Sequence, residues 1–315
     1  MILCHTSNIY APYVFDNIKH SIPGLLNAVG LVGVPLFFML SGALLLNKDY
    51  TLKDFFKKRF TRILYPAIFW IIITCLIIYP FTDMNGIINI IIGHHRYTWF
   101  IWTMIGLYLI MPVINSFIKE YGMKGVKYFL IVWIVTILLV TFNKYPFEKL
   151  ELSYFAGYIG YLILGYYLAN TNFRMSKFSQ IIMGLLFFII FIAINMYIRS
   201  HNIHLGSSYD SIFILMASMG IFILFKSLSE YLENRNSKTH ERIKNGRIGY
   251  LIFLISSCSY GMYFLNSLIL KFVKDLHITS LKLHPIIFIA VTVISLIVVL
   301  IVSKIGFLKK FSGAS

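Results

Sequence analysis

Nine apolar blocks of roughly 20 residues constrain this chain more than any other feature. They run over 25–47, 62–82, 98–118, 126–143, 153–170, 180–198, 210–229, 250–271 and 284–303. A helix of about 20 residues rises ~30 Å, the thickness of the hydrocarbon core of a bilayer. Blocks that are apolar on every face leave no polar side for water, so lipid is their natural solvent. Residues 1–10 (MILCHTSNIY) are apolar enough to end a tenth span but too short to cross alone. The expectation is an all-α polytopic transmembrane helix bundle of about ten helices, the first truncated at its start. Residues 1–315 then form a single integral membrane domain.

Charge agrees with this architecture. Only 13% of residues are charged, against about a quarter in soluble domains. The net charge of +16 would suit a nucleic-acid partner if it formed a patch on a soluble face. Instead, 20 of the 28 Lys and Arg fall in 48–62, 119–127, 171–179, 226–249 and 304–315. These segments alternate with the spans, as the positive-inside rule requires. They are therefore expected on the cytoplasmic side of a plasma membrane, together with the C-terminus, and no nucleic acid is expected as a partner. The 15 residues of 83–97 read as a surface or re-entrant segment, and 230–249 as a solvated loop.

The titratable residues narrow the chemistry. All 12 acidic residues fall in loops or at span ends, which argues against an ion-coupled carrier with a carboxylate in the membrane. His5 lies in an apolar stretch, where an ionisable group is a candidate for function, although a histidine reaching headgroup water is the plainer alternative. His94, His95, His201 and His204 lie in outer loops. His201 and His204 have H-x-x-H spacing without an obvious third ligand, so no metal site is expected. Cys4, Cys75 and Cys258 form neither a disulfide framework nor a zinc pattern.

Four stretches stand out: GVPLFFMLSGALLL (33–46), KKRFTRILYPAIFW (57–70), WFIWTMIGLYLIMPVI (99–114) and SCSYGMYFLNSLIL (257–270). In the first, Gly33, Ser41 and Gly42 let helix backbones approach closely, and Pro35 bends the helix. In the second, Arg59 and Arg62 are three apart and share a helix face beside Lys57 and Lys58. Such a pair suits phosphate, from a ligand or from lipid headgroups. In the third, Trp99, Phe100, Trp102 and Tyr108 are interfacial anchors or platforms for a sugar face, with Pro112 near the inner end.

In that order and spacing the stretches resemble membrane acyltransferase family 3, whose members of this kind O-acetylate surface polysaccharides or related glycans. The resemblance extends over the whole chain. It implies a membrane acyltransferase, acetyl-specific by analogy, that carries an acyl group from cytoplasmic acyl-CoA to a hydroxyl of a cell-surface glycan or its lipid-linked precursor. It implies acetyl-CoA or another acyl-CoA as co-substrate and no permanently bound cofactor. His5 matches the family's first-helix histidine and becomes the candidate general base or transient acyl carrier. Arg59 and Arg62 match arginines associated with the acyl donor. Ser41, Tyr260 and Asn266 become candidate pore-lining polar groups.

Two departures stand against the family pattern. Many relatives close the fourth motif with histidine, where this chain has Asn266, which cannot titrate. The family's first helix also carries an arginine about three turns before the histidine, a position that would lie before Met1. No soluble catalytic domain follows the bundle, so a partner enzyme on the outer face enters as a partner beside the bilayer, the donor and the glycan. The competing function is a transporter or flippase for a glycan intermediate or acyl group.

Overall fold

The computed structural model describes residues 1–10, 17–78, 85, 87–88, 98–142, 156–201, 209, 211–235, 241, 245–276 and 281–314. Among these, ten α-helices account for nearly all regular structure. They are α1 (Ile2–Tyr10), α2 (Asn17–Leu31), α3 (Gly33–Leu45), α4 (Leu52–Ile78) and α5 (Trp99–Thr141). There follow α6 (Ile159–Asn170), α7 (Lys177–Ser200), α8 (Ile212–Arg235), α9 (Arg247–Asp275) and α10 (His284–Lys304). Among the described residues seven segments, with α2 and α3 counted together from Ile22 to Leu45, are long and apolar enough to cross a membrane. Most of 83–97 and of 230–249 beyond Arg235, with His94, His95 and His204, lies outside the described residues.

Breaks in the helices follow local chemistry. The span expected over 25–47 begins earlier, at Asn17, and is interrupted at Val32. Pro35 lacks the N–H that would bond the carbonyl of Leu31, and its ring crowds that carbonyl, so one helix ends there and the next starts. At 43 residues, α5 would reach ~65 Å, about twice a hydrocarbon core. Gly122, at φ 58° and ψ −151°, divides it inside the basic loop 119–127, and the two spans expected there are its two arms. That backbone conformation is open to glycine and strained for other residues.

The basic helix α4 starts ten residues before the expected span, because Thr51 caps it. The Thr51 hydroxyl accepts from the Asp54 amide at 3.1 Å and donates to the Asp54 carboxylate at 2.7 Å. This reciprocal pair satisfies an orphan donor of the first turn. The turn from α3 to α4 is clamped by Asn115 of α5, whose amide accepts from the Asn47 N–H at 2.5 Å and donates to the Lys48 carbonyl at 2.9 Å. Lys57, Lys58, Arg59 and Arg62 consequently stand in the first three turns of α4.

One short helix sits deep in the bundle. The described helix of α6 covers 12 residues, against the 18 expected over 153–170, and eight of them are buried. It packs on α3 through small residues: a Cβ on Gly42 would sit 1.7 Å from the Leu162 carbonyl oxygen, and one on Gly165 would sit 1.9 Å from that of Met39. The C-terminus of α6 is capped by Lys226 of α8, which donates to the carbonyls of Leu168, Ala169 and Thr171 at 2.7, 3.0 and 2.9 Å. Helices α7 and α8 pair beside this unit and reach α2, while α1 lies against α2, α9 and α10. Between α3, α4, the first arm of α5 and α9 the packing leaves space open, and there the polar residues gather.

A candidate acyl-transfer site

Arg59 and Arg62 both face a cavity of about 940 Å³ walled by α3, α4, α5, α9 and residues after α10. Ser41, Tyr260 and Tyr108 line the same space, and Lys310 adds a third cation. Among the described residues no carboxylate belongs to its lining, and three positive groups do. Lys57 and Lys58 are exposed and stand apart from it. The cavity thus takes the two arginines and leaves out their lysine neighbours, although Lys58 is only one turn from Arg62.

The arginine end carries unsatisfied polar atoms. Arg59 Nε is buried without a hydrogen-bond partner among the described residues, and so is the Tyr50 hydroxyl. Both groups meet Phe55: the Tyr50 ring stacks on it at 4.5 Å, and the Arg59 guanidinium lies 5.9 Å from its centroid. Burial pushes the Tyr50 hydroxyl above its ordinary pKa, with nearby Arg59 pulling the other way. Buried polar atoms normally find partners, and a cation left so beside a cavity is suited to an anionic ligand. Tyr50 was not legible as a site residue, since it precedes α4 in a turn and belongs to none of the four stretches.

Tyr260 and Ser41 are oriented by backbone. The Tyr260 hydroxyl donates to the Ile63 carbonyl at 3.1 Å, tying α9 to α4. Ser41 donates to the Phe37 carbonyl at 2.9 Å within its own helix. A second cavity of about 370 Å³ adjoins the first and shares Phe37, Phe100, Ile255, Ser259 and Tyr260 with it. It extends past Gly33, Met262 and Tyr263 to Met1, Ile2 and Leu3 of the N-terminal segment.

His5 lies just behind this second cavity. Its ring packs 6.2 Å from that of Tyr263, which lines the cavity and stands 5.3 Å from Phe100. His5 Nδ1 meets Asn266 Oδ1 at 2.9 Å, a pairing that spans 261 positions of sequence. Asn266 is fully buried, and its Nδ2 donates to the carbonyls of Met262 at 3.0 Å and Tyr263 at 2.6 Å. Two carbonyls can accept only from the NH₂ end, so the amide oxygen must face the imidazole. In the neutral ring Nδ1 therefore carries the proton, and Nε2 carries the lone pair. Asn266 is six residues, ~9 Å, further along α9 than Tyr260. It does not line either cavity, and its contact is with His5.

The other singled-out residues are dispersed. Trp99 clusters with Tyr158 and Tyr209 at 5.9 and 5.4 Å, while Trp102 is half exposed on the outside of α5. His201 donates from Nδ1 to the Tyr197 carbonyl at 3.0 Å. A histidine absent from the four stretches, His284 of α10, is buried and meets the Ser7 hydroxyl at 3.2 Å, joining α10 to α1 two residues from His5.

A family model described as an acyltransferase domain matches residues 1–304. Comparison with curated proteins and with solved structures gave no match. Helices that can span a membrane and a match over nearly the whole length lead to one conclusion: the chain belongs to acyltransferase family 3 and is a multi-pass membrane acyltransferase.

Proposed function

We propose that the protein carries an acyl group, acetyl in the first instance, from acyl-CoA to a hydroxyl of a cell-surface glycan or its lipid-linked precursor. One observation carries this reading: a cavity that holds Arg59, Arg62 and Lys310 without a carboxylate adjoins a second cavity that ends beside His5. The basic loops face the cytoplasm of a plasma-membrane protein, by their excess of Lys and Arg. Phosphates of the donor then meet the arginines at the cytoplasmic end. The thioester arm runs along Phe37, Phe100 and Tyr260 toward α1, where the acceptor arrives from the opposite side.

The chemistry assigned to His5 follows from its tautomer. With Nδ1–H held by Asn266, Nε2 takes the acceptor's hydroxyl proton as the oxygen attacks the thioester carbon. The new C–O ester bond forms, the C–S bond breaks, and the imidazolium returns the proton to the departing thiolate. Asn266 positions the base and needs no charge of its own. On this reading the substitution of histidine by asparagine in the fourth motif leaves acyl transfer intact.

Purified protein incubated with labelled acetyl-CoA should release CoA and transfer label to a glycan acceptor. His5→Ala should abolish transfer with expression intact. Arg59→Ala should weaken donor binding by about tenfold or more, since hydrogen bonds to a charged group contribute roughly 1.5–3 kcal/mol. Normal transfer by the His5 variant would sink its role. Donor-independent movement of a glycan across the bilayer, with no turnover of acetyl-CoA, would favour the transporter instead.

A further inference from the structure

Beyond Lys304 the chain turns back into the bundle. A 3₁₀ segment, Gly306–Phe311, leads to Ser312, which is fully buried. The Ser312 carbonyl accepts from Trp70 Nε1 at 3.1 Å, and the Phe311 ring meets Tyr65 at 5.7 Å and Phe69 at 6.1 Å. Trp70 is eight residues beyond Arg62 on α4, ~12 Å deeper along the helix. Gly313, at φ 80°, lies against Gly261 so closely that a Cβ on it would sit 2.6 Å from the Gly261 nitrogen. Irregular backbone at this depth is tolerated where it is enclosed by protein or lines a polar cavity. Both hold here, since Ser312 is enclosed while Gly313 and Ala314 line the arginine cavity.

The same fold-back carries Lys310 to the cavity. Its ammonium lies 5.6 Å from the Tyr65 ring centroid and 5.1 Å from that of Phe311, contacts that hold the stem over two rings. Its neighbour Lys309 is also exposed but takes no part in the lining. The match to the family model ends at residue 304, short of this segment.

We propose that the re-entrant segment Gly306–Ala314 is a wall of the donor site, and that Lys310 is its third phosphate-binding cation beside Arg59 and Arg62. The inference rests on the donor reading above. Its ligand is a phosphate group, which the donor or an anionic lipid headgroup could supply, and the donor is the source favoured because the arginines share the cavity.

The test is a CoA titration of the full chain in nanodiscs of zwitterionic lipid, with melting temperature as a check on folding. K310M keeps the stem and removes the charge; it should weaken CoA binding about tenfold at low salt, the scale of one charge-assisted phosphate contact. The difference should fade near 1 M salt, where the Debye length falls to about 3 Å. K310R should bind like the wild type, and so should K309M. Equal CoA affinity in wild type and K310M overturns the inference, as does an equal loss in K309M. If anionic lipid in the disc protects the tail from proteolysis while K310M leaves CoA affinity unchanged, the phosphate is a lipid's and the proposal also falls. A wild type that binds no CoA removes the donor reading itself, a failure distinct from the first.

Discussion

Replacing Asn266 by leucine removes the amide oxygen that His5 Nδ1 meets at 2.9 Å, with little change in side-chain volume. Asn266 is fully buried, so water cannot stand in for the lost acceptor. Leaving the part-buried Nδ1 donor without its partner costs about 1–3 kcal/mol. The imidazole can relieve that cost by moving its proton to Nε2, which removes the lone pair from the nitrogen assigned as base. At 1.36 kcal/mol per decade, the penalty corresponds to a fall of roughly 5- to 150-fold in the rate of CoA release. The fall should appear in kcat and leave the KM for acetyl-CoA unchanged, because Arg59 and Arg62 are not touched. N266D retains an oxygen for Nδ1–H and should recover much of the rate. Initial rates at saturating acetyl-CoA, with melting temperatures recorded beside them, separate the catalytic effect from instability. Wild-type kcat in a folded N266L protein would refute the tautomer argument, and a rise in KM alone would move Asn266 from the base to the donor site.

Two further outcomes follow from the packing and the surface. Gly42→Leu places a side chain where even a Cβ would lie 1.7 Å from the Leu162 carbonyl oxygen; backbone cannot rotate away as a side chain can, so a loss of about 3 kcal/mol or more is expected, read as a sharp drop in melting temperature. Lys119 pairs with Asp49 and holds its carboxyl below the usual 3.8. The stabilisation is present above the unfolded-state value and is lost as pH falls through the folded one, so wild type should melt above D49N at pH 7, and the two should converge at strongly acidic pH and in high salt.

The proposed site has two ends with different physical demands. The arginine end needs unsatisfied positive charge, and it is built on α4, which Thr51 starts early and Asn115 holds in place. The histidine end needs one fixed tautomer, and it is built by α1 resting on α9 and α10. Tyr260 links the two, since its hydroxyl binds α4 while its ring lines both cavities.

What the sequence alone determined was the set of properties carried by short windows. A run of apolar residues about 20 long specifies a membrane span by itself, because hydrocarbon leaves backbone polar groups no other partner. In the same way the division of the long helix within 119–127 was legible, though not its place at Gly122, and the spacing of Arg59 and Arg62 gave their shared face. What only the tertiary structure decided are relations between distant windows. Nothing local says that Asn266 meets His5 across 261 positions, or that the short α6 lies at the centre. Nothing local says that Lys310, in a tail that reads as one more basic end, returns to the arginines. In a membrane these relations are set by small-residue contacts and a few buried hydrogen bonds, not by the apolar pattern, since lipid is as apolar as the core it surrounds.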